Sequence, residues 1–304
     1  MTPSVGLIGL GIMGYAMAGN LLRAGYRVVG YDVLAARRRS HARAGGRAVL
    51  NAAAVAAEAD IIISSLPSSE ALLKTAGDLA AAPRRPRIVI ETSTLPIAVK
   101  EDARAHLAAR GTVLLDCPLS GTGVQARQKD ILVYASGDRR AYRHVVPVLE
   151  AVARAHYFIG AFGSASKMKF VANLLVAIHN VAAAEAIVLA KKAGLDTAVV
   201  VKVIGDGAGS SRMFQVRGPM MVKGDYSDAM MKLEIWQKDM TIISEFAREV
   251  GCPTPLFTAT APIYTAATAA GPDRDTAAVC AVLEEMAGRT RTRTSAKGKG
   301  QSAK

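Results

Sequence analysis

Lys169 and Asn173 stand four residues apart in an otherwise apolar stretch of the chain, and Gly9-Leu10-Gly11-Ile12-Met13-Gly14 stands near its start. On a helix, residues i and i+4 share a face, so the lysine and the asparagine project together while Lys167 projects elsewhere. A lysine carried into apolar surroundings either costs several kcal/mol or gives up its proton more readily. An amine with a lowered pKa beside a cleft is a good general acid/base. The alternative is a lysine at a helix start that reaches back to solvent, and the residues by themselves leave both open. The glycine pattern is weak alone. Here it follows a strand and opens a helix, which makes it specific for a dinucleotide. Gly9 permits the tight turn, Gly11 lets the backbone approach a pyrophosphate, and Gly14 lets the helix pack on the strand. The helix start offers unpaired N–H groups to the phosphates.

Asp32 lies eighteen residues beyond Gly14, at the end of the second strand. A carboxylate there accepts hydrogen bonds from both adenosine ribose hydroxyls and repels a 2′-phosphate, which favours NAD. Arg37, Arg38 and Arg39 follow closely. They either form a solvated helix face or complement the extra phosphate, so NADP remains possible.

The elements that must position these residues are legible as pattern. Short apolar runs at 4–10, 27–32, 60–65, 87–91, 112–116 and 131–136, with a further one at 157–159, read as strands. They do not alternate with polar residues, as expected of strands covered by helices on both faces. Helical spacing falls at 15–24, 34–44, 52–57 and 97–110. After about Phe162 no strand is expected, and helical stretches run through 165–193, 197–205, 228–250, 255–270 and 275–287. The expected fold is an α/β Rossmann domain with a doubly wound, mainly parallel sheet, then a long connecting helix and an all-α C-terminal domain. The expected boundaries are 1–163 for the nucleotide-binding domain, 164–193 for the interdomain helix, 194–287 for an all-α substrate and oligomerisation domain, and 288–304 for a basic disordered tail.

Composition narrows the function classes. The chain has 304 residues, 51% of them hydrophobic, and a formal charge of +13. Six Lys or Arg and no acid fall in 288–304, so about half of the excess charge belongs to that segment. A solvated tail is expected there, with nonspecific polyanion binding as a side hypothesis; a nucleic-acid partner is not expected. Cys117, Cys252 and Cys280 have no metal-ligand spacing, and the five histidines include no HExxH, so no metal is expected. Unpaired thiols fit a reducing cytoplasm. The early first strand leaves no room for a signal peptide. The apolar run 170–190 holds Asn173, His179, Asn180 and Glu185, which are expensive in lipid, so a buried helix and no membrane span is expected.

Five ordered segments carry a family resemblance: VGLIGLGIMGYAMAGNLLRAGY (5–26), SLPSS with ETSTLP (65–69 and 91–96), DCPLSGTGVQARQKDILVYASGD (116–138), GAFGSASKMKFVANLL (160–175) and QKDM (237–240). Over about residues 4–287 the chain resembles the β-hydroxyacid dehydrogenases, which include 3-hydroxyisobutyrate dehydrogenases and tartronate semialdehyde reductases. The resemblance implies NAD(P)-dependent hydride transfer between a small β-hydroxy acid and its oxo acid or semialdehyde, in a homodimer or homotetramer. It places Lys169 at the family's catalytic lysine and Asn173 at the residue that helps hold that lysine and the substrate. It places Leu66, Pro67 and Thr94 beside the cofactor, and Lys238 close to cofactor and substrate, with Asp239 next to it. The bland alternatives are a helix-capping hydroxyl for Thr94 and a surface ion pair for Lys238 and Asp239. Ser120, Gly121 and Thr122, after the fifth strand, would hold the substrate carboxylate.

The chain departs from the family in this loop. Ser-Gly-Gly becomes Ser120-Gly121-Thr122, and the segment after Ala126 becomes Arg127-Gln128-Lys129-Asp130-Ile131. The substrate is therefore expected to differ from the familiar short 3-hydroxy acids, and a four-carbon sugar acid is one candidate. Arg127 and Lys129 either add positive charge near the cleft or face solvent. Two rivals stand beside this reading. An imine- or other carbonyl-reducing relative would tend to lack the lysine. A catalytically inactive dinucleotide-binding protein with a basic tail would not need Lys169 and Asn173 together.

Overall fold

Nine strands form one sheet in the computed structural model, which describes residues 4–288. The basic segment expected as a tail lies outside the described residues from 289 onward. Parallel pairing joins β3 (Arg47–Ala48), β2 (Arg27–Tyr31), β1 (Ser4–Ile8), β4 (Ile61–Ser64), β5 (Ile88–Glu91) and β6 (Val113–Asp116), in that order across the sheet. The order reverses beside β1, between β2 and β4, which is where ligands bind in open α/β sheets. Beyond β6, Asp116 pairs antiparallel with Ser136 of β8 (Leu132–Ser136). Leu119 and Ser120 of the two-residue β7 pair with Val133 and Leu132 in the same register, so β7 continues the line of β6. β9 (Ala155–Gly160) pairs with β8 in parallel.

The central strands β1, β4, β5 and β6 bury both faces, as their unbroken apolar runs demand, while the edge strand β3 is exposed and β9 is half-buried. Leu7, Ile63, Ile90 and Leu115 point to one core, with Met17 and Leu21 of α1 (Ile12–Arg23) and Val145 and Leu149 of α7 (Arg139–Val152). Their neighbours Ile8, Ile62, Val89 and Leu114 point to the other. There they meet Val55 of α3 (Ala52–Glu58), Leu72 and Leu79 of α4 (Ser69–Ala81), and Ala103 and Leu107 of α5 (Ile97–Ala108). Helices on both faces make the sheet doubly wound. Two further helices complete the N-terminal half, α2 (Ala35–Arg43) and the short α6 (Gly123–Arg127).

The rest is helical: α8 (Ser164–Lys192), α9 (Thr197–Asp206), α10 (Arg212–Lys223), α11 (Leu233–Glu249), α12 (Pro255–Ala270), a 3₁₀ turn (Thr276–Ala278) and α13 (Val279–Met286). The chain forms two compact units, and each takes part of α8 and of α11. Among the described residues, those through Leu174 together with Lys238–Pro253 make the first, and Leu175–Gln237 with 254–288 make the second. In the first unit the Phe170 and Phe246 rings sit 5.3 Å apart. In the second, buried Asn180 donates to Tyr264 Oη and to the Thr276 carbonyl, and Arg217 pairs with buried Asp275 at 3.0 Å. Among the described residues α8 alone is long and apolar enough to cross a membrane, but its Asn173 and Asn180 are buried and hydrogen-bonded inside the protein.

Helices α4, α7 and α10 go beyond the periodic stretches legible in the sequence. Each carries a local N-cap, from Ser68, Asp138 and Ser211. In α7 the buried Ala141, Val145, Val148, Leu149 and Val152 do keep helical spacing, and Pro147 is the misleading signal; in α10, Gly218-Pro219 interrupts the pattern. α11 begins at Leu233 rather than near 228.

Candidate active site

The glycine turn is built as its spacing requires. Gly9 has φ +91°, and a Cβ on it would lie 2.1 Å from the Ser65 carbonyl oxygen. A Cβ on Gly14 would lie 1.8 Å from the Gly9 carbonyl oxygen. These two are demanded by the protein itself. Gly11 is not: its φ is −69°, and a Cβ there would find only Arg37 Nη1, at 3.8 Å. The space beside Gly11 is open and has room for a ligand group. No side chain caps α1, so the N–H groups of Ile12 and Met13 in its first turn have no side-chain partner, while Leu10 N, just before the helix, is taken by the Asp32 carboxylate. The residues present fit a dinucleotide pyrophosphate.

Asp32 is 4% exposed and anchored at this turn. Its Oδ2 accepts from Leu10 N at 2.8 Å and from Arg37 Nη1 at 3.2 Å, and its Oδ1 accepts from Leu34 N at 2.8 Å. Arg38 donates to the Asp32 and Val33 carbonyls, and Arg39 is exposed. Two of the three arginines are thus folded back on the end of β2. Neighbouring loops close the same edge of the sheet. Leu66 N donates to Ser93 Oγ at 2.8 Å, Thr92 Oγ1 donates to the Ser64 carbonyl, and exposed Pro67 follows.

Lys169 is 9% exposed, whereas Lys167 is exposed. Its amine makes no hydrogen bond or ion pair among the described residues. Burial pulls its pKa below the ordinary lysine value; nearby Asp239 opposes that shift and Lys238 adds to it. Asn173 Nδ2 donates to Asp239 Oδ2 at 2.9 Å. Lys238 Nζ lies 3.3 Å from Asp239 Oδ1 and donates to the Thr94 carbonyl at 2.6 Å. Asp239 is 4% exposed, and burial raises its carboxyl pKa against the opposing pull of Lys238 and Lys169. The structure thus joins Thr94, Lys238, Asp239 and Asn173 in one hydrogen-bonded chain, with Lys169 one turn from Asn173. Asp239 enters the sequence reading only as the neighbour of Lys238, with a surface ion pair as the alternative, and its bond to Asn173 is not foreseen there. A carboxylate beside a lysine on an amphipathic helix is its only signal.

The loop after β7 lies close to the glycine turn, since a Cβ on Gly123 would come within 2.2 Å of Ile12 Cγ2. Thr122 is engaged in a capping box: Gln125 N donates to its Oγ1, and Gln125 Oε1 accepts from Thr122 N. Ser120 is half-buried, and its hydroxyl has no partner among the described residues. Gly121 is exposed. Arg127 and Lys129 are exposed and line a cavity with Asn20, Arg23 and Ala24. That cavity lies at the C-terminal end of α1, about 18 Å along the helix from the glycine turn. The structure does not bring them to the site. No group of three or more His, Cys, Asp or Glu suited to a metal occurs among the described residues.

Residues 4–160 match a family model described as the NAD binding domain of 6-phosphogluconate dehydrogenase, and residues 163–283 match one described as NAD-binding of NADP-dependent 3-hydroxyisobutyrate dehydrogenase. An L-threonate dehydrogenase from Cupriavidus necator is 34% identical over 89% of this chain and 92% of its own. A 3-hydroxyisobutyrate dehydrogenase from Mycobacterium tuberculosis, solved with L-serine, superposes with TM-score 0.85 at 29% identity over 93% of this chain and 99% of its own. One from Salmonella typhimurium gives TM-score 0.82 at 31% identity, over 92% and 99%.

Proposed function

The chain belongs to the β-hydroxyacid dehydrogenase family, as an NAD(P)-dependent oxidoreductase acting on CH–OH groups, and we propose that Lys169 is its general acid/base. The single observation that carries this assignment is a buried amine with no hydrogen-bond or ion-pair partner among the described residues, next to Asn173 and Asp239. The nicotinamide, when bound, accepts or gives the hydride. Lys169 takes the hydroxyl proton in oxidation and returns it in reduction. Asn173, held by Asp239, orients the substrate hydroxyl beside that amine. Gly9–Gly14 hold the pyrophosphate, Asp32 the adenosine ribose, and Leu66, Pro67, Thr94 and Lys238 the cofactor's other half. The Ser120-Gly121-Thr122 loop holds the substrate carboxylate, with the Ser120 hydroxyl as its first donor.

The proposed substrate is a small β-hydroxy acid. Four-carbon acids of the threonate kind come first, because the L-threonate dehydrogenase from C. necator is among the relatives and Thr122 departs from the short-acid loop. The proposed coenzyme is NAD, since the Asp32 carboxylate would oppose a 2′-phosphate. Initial rates across a panel of hydroxy acids, read by nicotinamide absorbance with NAD and with NADP, test both. Turnover of at least one β-hydroxy acid with higher kcat/KM for NAD is expected. Preference for NADP would overturn the coenzyme assignment, and inactivity on the whole panel would overturn the substrate class.

A homo-oligomer is proposed as well. α9 buries none of its residues within the chain, and Leu189, Leu195, Val199 and Val203 are exposed in the second unit. Contiguous exposed apolar surface marks association sites. Light scattering is expected to give a dimer or tetramer; a monomer at micromolar concentration would remove this proposal. No disulfide is formed by the three cysteines, which supports a cytoplasmic setting.

A further inference from the structure

The first turn of an α-helix leaves its N–H groups without intrahelical partners, and a cap usually comes from the residue just before the helix. In α8 two of these groups are capped from the sheet. Ala165 N donates to Ser136 Oγ at 3.1 Å, and Ser166 N donates to Asp116 Oδ2 at 2.9 Å. Both acceptors stand at strand ends, opposite each other in the register of β6 and β8. Ser166 Oγ adds a second bond to Asp116, 2.7 Å to Oδ1, and Ser136 Oγ donates to Asp116 Oδ2 at 3.1 Å.

The same carboxylate belongs to a buried ion cluster. Lys100 Nζ lies 2.9 Å from Asp116 Oδ1 and 2.7 Å from Glu91 Oε2. Glu91 Oε1 accepts from Ser93 N, and Ser93 Oγ accepts from Leu66 N. Lys100, Glu91, Asp116 and Ser136 have no exposed surface, and Ser166 has 1%. Burial pulls the Lys100 pKa down, but the two carboxylates outweigh it and hold the amine charged. Every partner of Asp116 can donate, and Lys100 and the Ser166 N–H can only donate, so neither oxygen tolerates replacement by an amide nitrogen. Ionic clusters sealed from water are poor sources of stability, because apolar residues of the same volume often serve as well. The bonds of this one run instead from the loop at Leu66, through three strand ends, to the helix that carries Lys169 one turn beyond Ser166.

We infer that Lys100, Glu91, Asp116, Ser136 and Ser166 are positioning residues that fix the first turn of α8 on the sheet edge and thereby aim the Lys169 amine. The inference rests on the acid/base reading of Lys169. Lys100→Met would strand two buried carboxylates and is expected to unfold the chain, so the deciding variant is Ser166→Ala, which keeps the N–H bond and removes only the hydroxyl. In the purified full-length protein, assayed well below its melting temperature, kcat is expected to fall at least ten-fold. The dissociation constant for NADH, read by fluorescence titration, should stay within two-fold, and Ser166→Thr should restore kcat to within three-fold of wild type. A purely structural role would lower the melting temperature and leave kcat alone. Unchanged kcat in Ser166→Ala while Lys169→Ala is inactive would overturn this inference and spare the acid/base reading. A fall in kcat matched by loss of NADH affinity would also overturn it, since the whole domain would then be disturbed. An active Lys169→Ala would remove the acid/base reading itself, whatever Ser166→Ala does.

Discussion

Lys169→Ala is expected to lower kcat by about 10²–10⁴-fold, the usual contribution of a positioned acid/base, while affinity for the dinucleotide changes little. The separation follows from the geometry. The lysine amine makes no hydrogen bond or ion pair among the described residues, so its removal leaves no buried partner there unsatisfied and folding should be preserved. The glycine turn and Asp32, which would bind the coenzyme, lie on β1, α1 and β2 and make no bond to α8 in the structure. The pH dependence has a fixed sign. Burial favours the neutral amine, so the lysine titrates below its ordinary 10.5. Oxidation needs the neutral form to accept the hydroxyl proton, and its rate should rise with pH through that lowered pKa. Reduction needs the ammonium, and its rate should fall over the same interval. Both limbs should vanish in the variant. A pH–rate profile of Lys169→Ala that keeps the wild-type limb and height would assign the proton transfer to another group.

Local signals make part of this site visible in the sequence. Strands buried on both faces produce uninterrupted apolar runs, and a glycine triplet between a strand and a helix is seldom needed except where a phosphate approaches the backbone. Lys169 and Asn173 stand out because helical spacing sets two polar side chains on one apolar stretch. Thr122 and Gln125 are equally local, a T-x-x-Q capping pattern, in which the threonine hydroxyl serves the helix before any substrate. What the pattern cannot show is long-range. The partner of Asn173 is 66 residues away. The caps of α8 come from 29 and 50 residues upstream. Lys100, in the sequence IAVKEDARAHLA, looks like any lysine on a solvated helix face. It is fully buried because β5 and β6 each end in a carboxylate beneath it.

Gly11→Val should separate coenzyme binding from folding at the one glycine of the triplet that the protein does not itself require. Its φ of −69° suits any residue, and a Cβ would meet no atom closer than 3.8 Å. A valine there should therefore shift stability by no more than about 0.5–1 kcal/mol. Its branched side chain would occupy the space above the α1 amides that a pyrophosphate must enter. Coenzyme affinity is expected to drop at least about 100-fold, or about 2.7 kcal/mol. Gly14→Ala is the contrast. Its Cβ would sit 1.8 Å from the Gly9 carbonyl oxygen, so β1 and α1 must move apart, at the upper end of the roughly 1–3 kcal/mol typical of overpacking or beyond. Thermal melting and coenzyme titration on both variants give opposite rankings if the turn works this way. A Gly11→Val protein that melts early would mean the fold itself needs this glycine, and one that binds NADH like the wild type would mean the space over Gly11 is not where the phosphates lie.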